Sequence, residues 1–271
     1  MSNQNYHYRN PDFNAEQTDG CTLLMQTGMA TFSYAIISQN KVQVLEENIS
    51  LSELIEPSEE HNVLFGNFQR RVIGLLQSGF TLVPYSLFKP ERVADFARFL
   101  DVKFNDKVFS QPLDAKNQVL YKVNSVIVDK IEEKFDLNDV VFPAKGWINA
   151  LAATHPSDRD LYLNISHGKA ELLSFKEGSL RFYNTFEFQA ADELVYFALL
   201  VADELKLHPQ GTTLVLSGDI IKGDENTSRL SKFFGKTELS NIKTVQLPGE
   251  IAPHHVLTLT ALSLCGSSEV L

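Results

Sequence analysis

The polar residues best placed to do chemistry occur as a matched pair. Residues 23–49 and 161–187 align at one constant offset without a gap, so that Gln39-Asn40 falls on Glu177-Gly178, Val42 on Leu180 and Val44 on Phe182. At the end of the first strand of each segment, Gln26 meets Asn164 and Gly28 meets Ser166. The other candidates form no complete set. Ser166 and His167 suggest a nucleophile and its base, but adjacent strand residues point to opposite faces, and His167 reads as a polar turn residue. His254-His255 at a helix start would bind a metal only with ligands from elsewhere, and is expected to face solvent. Cys21 and Cys265 lie near opposite ends without ligand spacing and are expected as reduced thiols. No complete phosphate-binding Walker loop or dinucleotide fingerprint is present.

The elements that must position these residues are clearest in the second half. Leu161–Ile165, Ala170–Phe175 and Leu180–Phe186 are short β-rich runs broken at His167-Gly168 and Glu177-Gly178, the pattern of a meander. Asp192 is expected to cap a helix over Glu193–Lys206, stopped by Pro209 and Gly211. Thr212–Leu216 reads as a buried parallel strand ending in Ser217-Gly218-Asp219. A helix near Thr227–Phe234, a strand at Ile242–Leu247 and a helix over His254–Cys265 complete the order βββαβαβα. The first half opens with the same meander. A helix around Leu51–Leu64, split by Pro57, follows it, and then a hairpin of Arg71–Leu76 and Phe80–Val83 about Gln77-Ser78-Gly79. Pro90 opens a helix over Glu91–Leu100, Val108-Phe109 and Val119–Val123 are strands, and Ser125 caps a helix through Phe135. A short strand at Val140–Phe142 and a helix at Lys145–Ala153 end the half.

Two tandem ribonuclease-H-like units, the first enlarged by an insertion, resemble the actin-like ATPase superfamily. The insertion and the string Phe80–Pro84 are most similar to the cytoplasmic actin-like proteins of type IV pilus and type II secretion systems. The whole chain looks like an uncharacterised bacteroidete family with this fold, on the strings TLVPYSLF (81–88), VLYKV (119–123), DLYLNIS (160–166) and TTLVLSGD (212–219). The resemblance implies an α/β fold, with nucleotide between the halves and a phosphate hairpin of Asp, any residue, Gly in each meander. Here the hairpins read Gln26-Thr27-Gly28 and Asn164-Ile165-Ser166, so both carboxylates that would position hydrated Mg²⁺ are amides. Ser217-Gly218-Asp219 is half of the adenosine motif, and a plain Gly-Asp turn accounts for it equally well. The helix at Trp147–Ala153 lacks the family's acid near the attacking water; its small residues, with Ala261 and Cys265, suit close packing between the halves. A nuclease site needs converging carboxylates, and Glu193 and Asp219 alone do not make one.

The expectation is therefore no catalytic residues, no metal ligands and no required cofactor. If ATP with Mg²⁺ binds, Gln26, Gly28, Asn164, Ser166, Gly168, Ser217, Gly218 and Asp219 would hold it. The leading reading is a non-catalytic scaffold with protein partners; the alternative is a nucleotide-binding protein with slow or no hydrolysis. A net charge of -10 over 271 residues disfavours nucleic acid. The polar first twenty residues lack the apolar core of a secretory signal, and the longest strongly apolar run, Leu194–Ala202, is too short to span a bilayer, so a cytoplasmic location is expected. The expected division is a polar arm at 1–19, a first unit at 20–154 and a second at 155–271, meeting near His155–Asp158.

Overall fold

A computed structural model describes residues 5–166 and 168–265, so His167 lies outside the described residues. Among the described residues the chain divides into two compact units, 5–147 with 259–265, and 148–258. No described helix is long and apolar enough to cross a membrane.

The first unit holds strands β1 (His7–Arg9), β2 (Cys21–Thr27), β3 (Thr31–Ser38), β4 (Lys41–Ser50), β5 (Arg70–Gly74), β6 (Gly79–Pro84), β7 (Asp106–Pro112), β8 (Asn117–Asn124) and β9 (Val140–Val141). Its helices are α1 (Val93–Ala97) and α2 (Ser125–Glu132), and α3 (Lys145–Ala152) begins in it. The main sheet runs β1-β4-β3-β2-β5-β9, and β6-β8-β7 form a separate three-stranded sheet. Leu23, Leu24 and Met25 on β2 are wholly buried, as a central strand covered on both faces requires. The second unit carries β10 (Asp160–Ser166), β11 (Lys169–Lys176), β12 (Ser179–Glu187), α4 (Ala191–Glu204), β13 (Thr213–Gly218), α5 (Glu225–Leu230) and β14 (Lys236–Leu239), and α6 (Pro253–Ala261) begins in it. Its sheet order is β12-β11-β10-β13-β14, the same scheme as β4-β3-β2-β5-β9.

The repeat extends to detail. Gln39 and Asn40 have φ of 50° and 62°, and the aligned Glu177 and Gly178 have 52° and 71°. Positive φ at both central residues is the hairpin turn whose twist matches its strands. Each meander also has an irregularity at the same place, where pairing skips a residue between Ile36 and Ile37 and between Ser174 and Phe175.

Several expectations are corrected. Gln77-Ser78-Gly79 does not close a hairpin: β5 pairs parallel with β2, while β6 pairs with β8, so the turn hands the chain from one sheet to the other. Leu51–Leu64 is two 3-10 turns, Leu51–Leu54 and His61–Phe65, on either side of Pro57. Asn124, not Ser125, caps α2, accepting from the Val126 N–H. Asp192 lies inside α4 rather than capping it, and reaches Arg229 at 3.3 Å. Ile242–Leu247 is not a strand; the sheet's last strand is β14, whose polar alternation suits an edge. The helix expected at Thr227–Phe234 starts earlier, because Asp224 Oδ1 accepts from the Thr227 N–H at 2.7 Å. Cys265 follows a closing 3-10 turn instead of lying within α6. The segment expected as a polar arm contributes β1, antiparallel to β4.

A Cβ on Gly146 would stand 2.4 Å from the Ala261 carbonyl oxygen, so only glycine fits there. Cys21 and Cys265 are free and buried, and burial pushes the Cys265 thiol up to about 11.

Candidate functional site

In the second unit, β10 ends on a buried polar chain. Asn164 is wholly buried, opposite Glu171 on β11 and Ser217 on β13. The Ser217 hydroxyl donates to Asn164 Oδ1 at 3.1 Å, and Asn164 Nδ2 donates to Glu171 Oε2 at 2.6 Å. The Tyr183 hydroxyl donates to Glu171 Oε1, also at 2.6 Å. Four strands are thereby tied across one face position. Burial pushes the Glu171 carboxyl above its ordinary range, opposed by the bonds from Tyr183 and Asn164. Burial and the adjacent Glu171 charge hold the Tyr183 phenol well above its own range, so it stays a donor. Both ends of the Asn164 amide are thus engaged inside the sheet.

The turn after β13 is built against this chain. Gly218 has φ +84°, and a Cβ there would stand 1.9 Å from the Ile165 carbonyl oxygen and 2.7 Å from Asn164 Oδ1. The Asp219 N–H donates to the Ile165 carbonyl at 2.7 Å, while the Asp219 side chain is exposed. His254 is half-buried rather than solvent-facing: its Nε2 donates to the Ile220 carbonyl at 3.0 Å. Burial and the neighbouring His255 lower its pKa, opposed by that bond, so it is a neutral imidazole near pH 7. Ser166 is the last residue of β10, and the Gly168 carbonyl accepts from the Phe188 N–H at 3.0 Å. Glu193 Oε2 accepts from the Gln189 N–H at the start of α4. Among the described residues, no group of three or more His, Cys, Asp or Glu side chains is arranged to hold a metal ion.

In the first unit Gln26 is half-buried on β2, opposite Ser33 on β3 and Gly74 on β5. Ser33 and Gly74 stand where the second unit has Glu171 and Ser217, so the polar chain is not duplicated. The Gly28 N–H donates to the Thr31 carbonyl at 2.7 Å, closing the turn, and the Leu76 N–H donates to Thr27 Oγ1 at 3.0 Å. Asn164, Ser217 and Gly218 are thus brought into contact within one unit, with Ser166 and Asp219 alongside. Sequence reasoning missed Glu171 and Tyr183. The turn after Ser166 was the available signal, because it fixes the register that sets Asn164 opposite Glu171.

A family model described as "Protein of unknown function (DUF3822)" matches residues 10–236. A search of curated proteins gives no match. Among solved structures, the chain is similar to a Bacteroides thetaiotaomicron VPI-5482 protein with an actin-like ATPase fold and unknown function. The two share 17% identity at a TM-score of 0.75, over 94% of this chain and 99% of that one. It is also similar to a chain of the PilM-PilN type IV pilus biogenesis complex, with 14% identity and a TM-score of 0.58 over 91% and 98%. The fold is the actin-like, tandem ribonuclease-H-like architecture that the sequence implied.

Proposed function

From the premise that the chain belongs to the DUF3822 family and has an actin-like ATPase fold, we propose that it is a non-catalytic body that works through protein–protein contacts. The observation that carries this reading is Asn164. At the place where the fold's phosphate hairpin would present a carboxylate to hydrated Mg²⁺ stands a buried amide, with its oxygen held by Ser217 and its nitrogen by Glu171. The equivalent residue in the first unit, Gln26, is also an amide. The two amides supply no negative charge to a hard cation, and no hydrolytic step is assigned to them. The resemblance to a protein solved in the PilM-PilN complex gives the contact reading a precedent. Large apolar side chains left in water support it further, since Phe99 is 79% and Phe104 fully exposed.

Phosphate release from ATP with Mg²⁺ tests the proposal. Release at the level of a protein-free blank is expected. Turnover that is lost when Asn164 or Gln26 is changed to Leu would overturn it. A second reading, nucleotide held without turnover, is favoured by the retained Gly218 turn. It requires a specific thermal shift with ATP, ADP or GTP, because a ligand of the folded state raises apparent stability. The scaffold reading requires no shift, with or without Mg²⁺.

A further inference from the structure

Helix α4 lies wholly within the second unit and has two apolar faces. Its inner face, Leu194, Val195, Ala198, Val201 and Ala202, packs into the core of that unit. Its exposed positions are Asp192, Glu193, Tyr196, Leu200, Asp203 and Glu204. A surface helix ordinarily turns charged and polar side chains to water. Here the middle of the water-facing row is apolar instead, with Tyr196 60% and Leu200 38% exposed and Leu199 half-buried beside them. Spacings of three and four residues set these side chains next to one another.

An acid pair stands at each end of that apolar centre, and α4 carries no lysine or arginine. In the first turn Asp192 and Glu193 suit the positive end of the helix dipole, and Arg229 on α5 meets Asp192 at 3.3 Å. In the last turn Asp203 and Glu204 oppose the dipole, and that turn holds no base to offset them. Past the helix end, Arg181 donates from Nη2 to the Leu205 carbonyl. Among the described residues neither Arg181 nor Lys206 forms an ion pair with Asp203 or Glu204. Negative charge is thus kept at the end of α4 where the helix itself gains nothing from it.

We infer that the outer face of α4 docks an amphipathic helix of a partner protein, one whose apolar stripe is bracketed by lysines or arginines. Such a partner is one form of the protein–protein contact proposed for the chain, and the inference rests on that reading. An apolar centre inside a charged rim is the anatomy of a protein interface, and tyrosine is a favoured anchor in one. The charge selects the occupant. A second copy of α4 laid along this one, parallel or antiparallel, would set acid pair against acid pair, and nucleic acid or anionic lipid would be repelled likewise. The acid pairs lie eleven residues apart in the chain, about 16 Å along the helix axis. Because that spacing is close to three full turns, a helix with basic pairs so placed brings both pairs, and the apolar residues between them, onto one face. An extended segment would cross the same span in about five residues and set only about three side chains on it.

Fluorescence anisotropy tests it with a labelled peptide, KKAALAALLAAKK, held helical by a hydrocarbon crosslink between its third and seventh residues and titrated with the full chain. Saturable binding is expected, weakening as salt is raised. The same helix with glutamates in place of its lysines is expected not to bind. Tyr196→Gln combined with Leu200→Gln should weaken binding about 10-fold, with little change in the urea midpoint because both side chains are exposed. Asp203→Lys combined with Glu204→Lys should weaken it about 5- to 30-fold. Absence of saturable binding, equal binding of the glutamate helix, or binding that neither double variant moves overturns the inference. So does a dimer of the chain that is lost in the Tyr196→Gln, Leu200→Gln variant, since a second copy would then be the occupant. Should one double variant fail to fold, the other decides. Any of these failures leaves the contact reading standing while phosphate release stays at the blank, whereas ATP turnover removes that reading whatever the helix does.

Discussion

Asn164 illustrates how a site residue changes role when one atom changes. Its Nδ2 lies 2.6 Å from Glu171 Oε2. A carboxylate at the same place would set two acids against each other in a buried site, where both cannot ionise together. Asn164→Asp is therefore expected to lower stability by about 2–3 kcal/mol at neutral pH instead of restoring a metal site. The sign with pH follows. An acid whose folded pKa is raised above its unfolded value contributes most at low pH, and that contribution is lost as pH rises through the folded pKa. Urea midpoints of Asn164→Asp should thus approach those of the parent below about pH 4.5 and separate above it. Glu171→Gln in the same background should close the gap at neutral pH; a gap unchanged by Glu171→Gln would show that like-charge repulsion is not the cause. The sequence exposed the amide at Asn164, because duplication supplied its counterpart, Gln26. It did not expose Glu171, whose side chain meets Asn164 only through cross-strand register.

Elements were legible where the information is local. The paired turns at Gln39-Asn40 and Glu177-Gly178, the split at Pro57 and the βββαβαβα order all follow from residue type and spacing. Partnership between strands is not local. Gln77-Ser78-Gly79 between two β-rich runs looks the same whether the runs pair or part, and here β5 and β6 enter different sheets. Ile242–Leu247 is apolar enough for a strand, yet β14 lies at the more polar Lys236–Leu239, since an edge needs less apolar surface. Gly218 sits where such an element turns against its neighbour. Its φ of +84° and the 1.9 Å approach to Ile165 leave no room for a methyl group. Gly218→Ala should cost about 3–5 kcal/mol, read as a lowered urea midpoint. Asp224→Ala, which removes the cap of α5 and the bonds its carboxylate accepts from the Ile221 N–H and the Thr227 hydroxyl, should cost about 1–2 kcal/mol. Equal losses for the two would refute the close-packing account of Gly218.

On the scale of the whole molecule, the two units share one scheme, and one sheet in each carries an acid shifted in the opposite direction. In the first unit's three-stranded sheet, Lys122 Nζ lies 3.0 Å from Asp106 Oδ2. The Lys103 N–H, and then Lys122, hold the Asp106 carboxyl below its ordinary range. A depressed folded pKa gives stability that is present above the unfolded pKa and is lost as pH falls through the folded one. In the second unit, burial holds Glu171 above its range, so protonation relieves a cost there. Asp139, also raised by burial, lies before β9 and outside the three-stranded sheet. Lowering pH from about 6 to about 3 should therefore reduce the opening free energies of amides in β6–β8 relative to those in β10–β12, as read by hydrogen exchange corrected for intrinsic rates. Asp106→Asn should shrink that contrast to the share of Glu171, because one of the two titrating groups is gone, and should lower protection of β6–β8 at neutral pH, because Lys122 is left without its carboxylate. Parallel loss in both sheets, or a contrast undiminished in Asp106→Asn, would place the acid response elsewhere in a chain whose formal charge is -10.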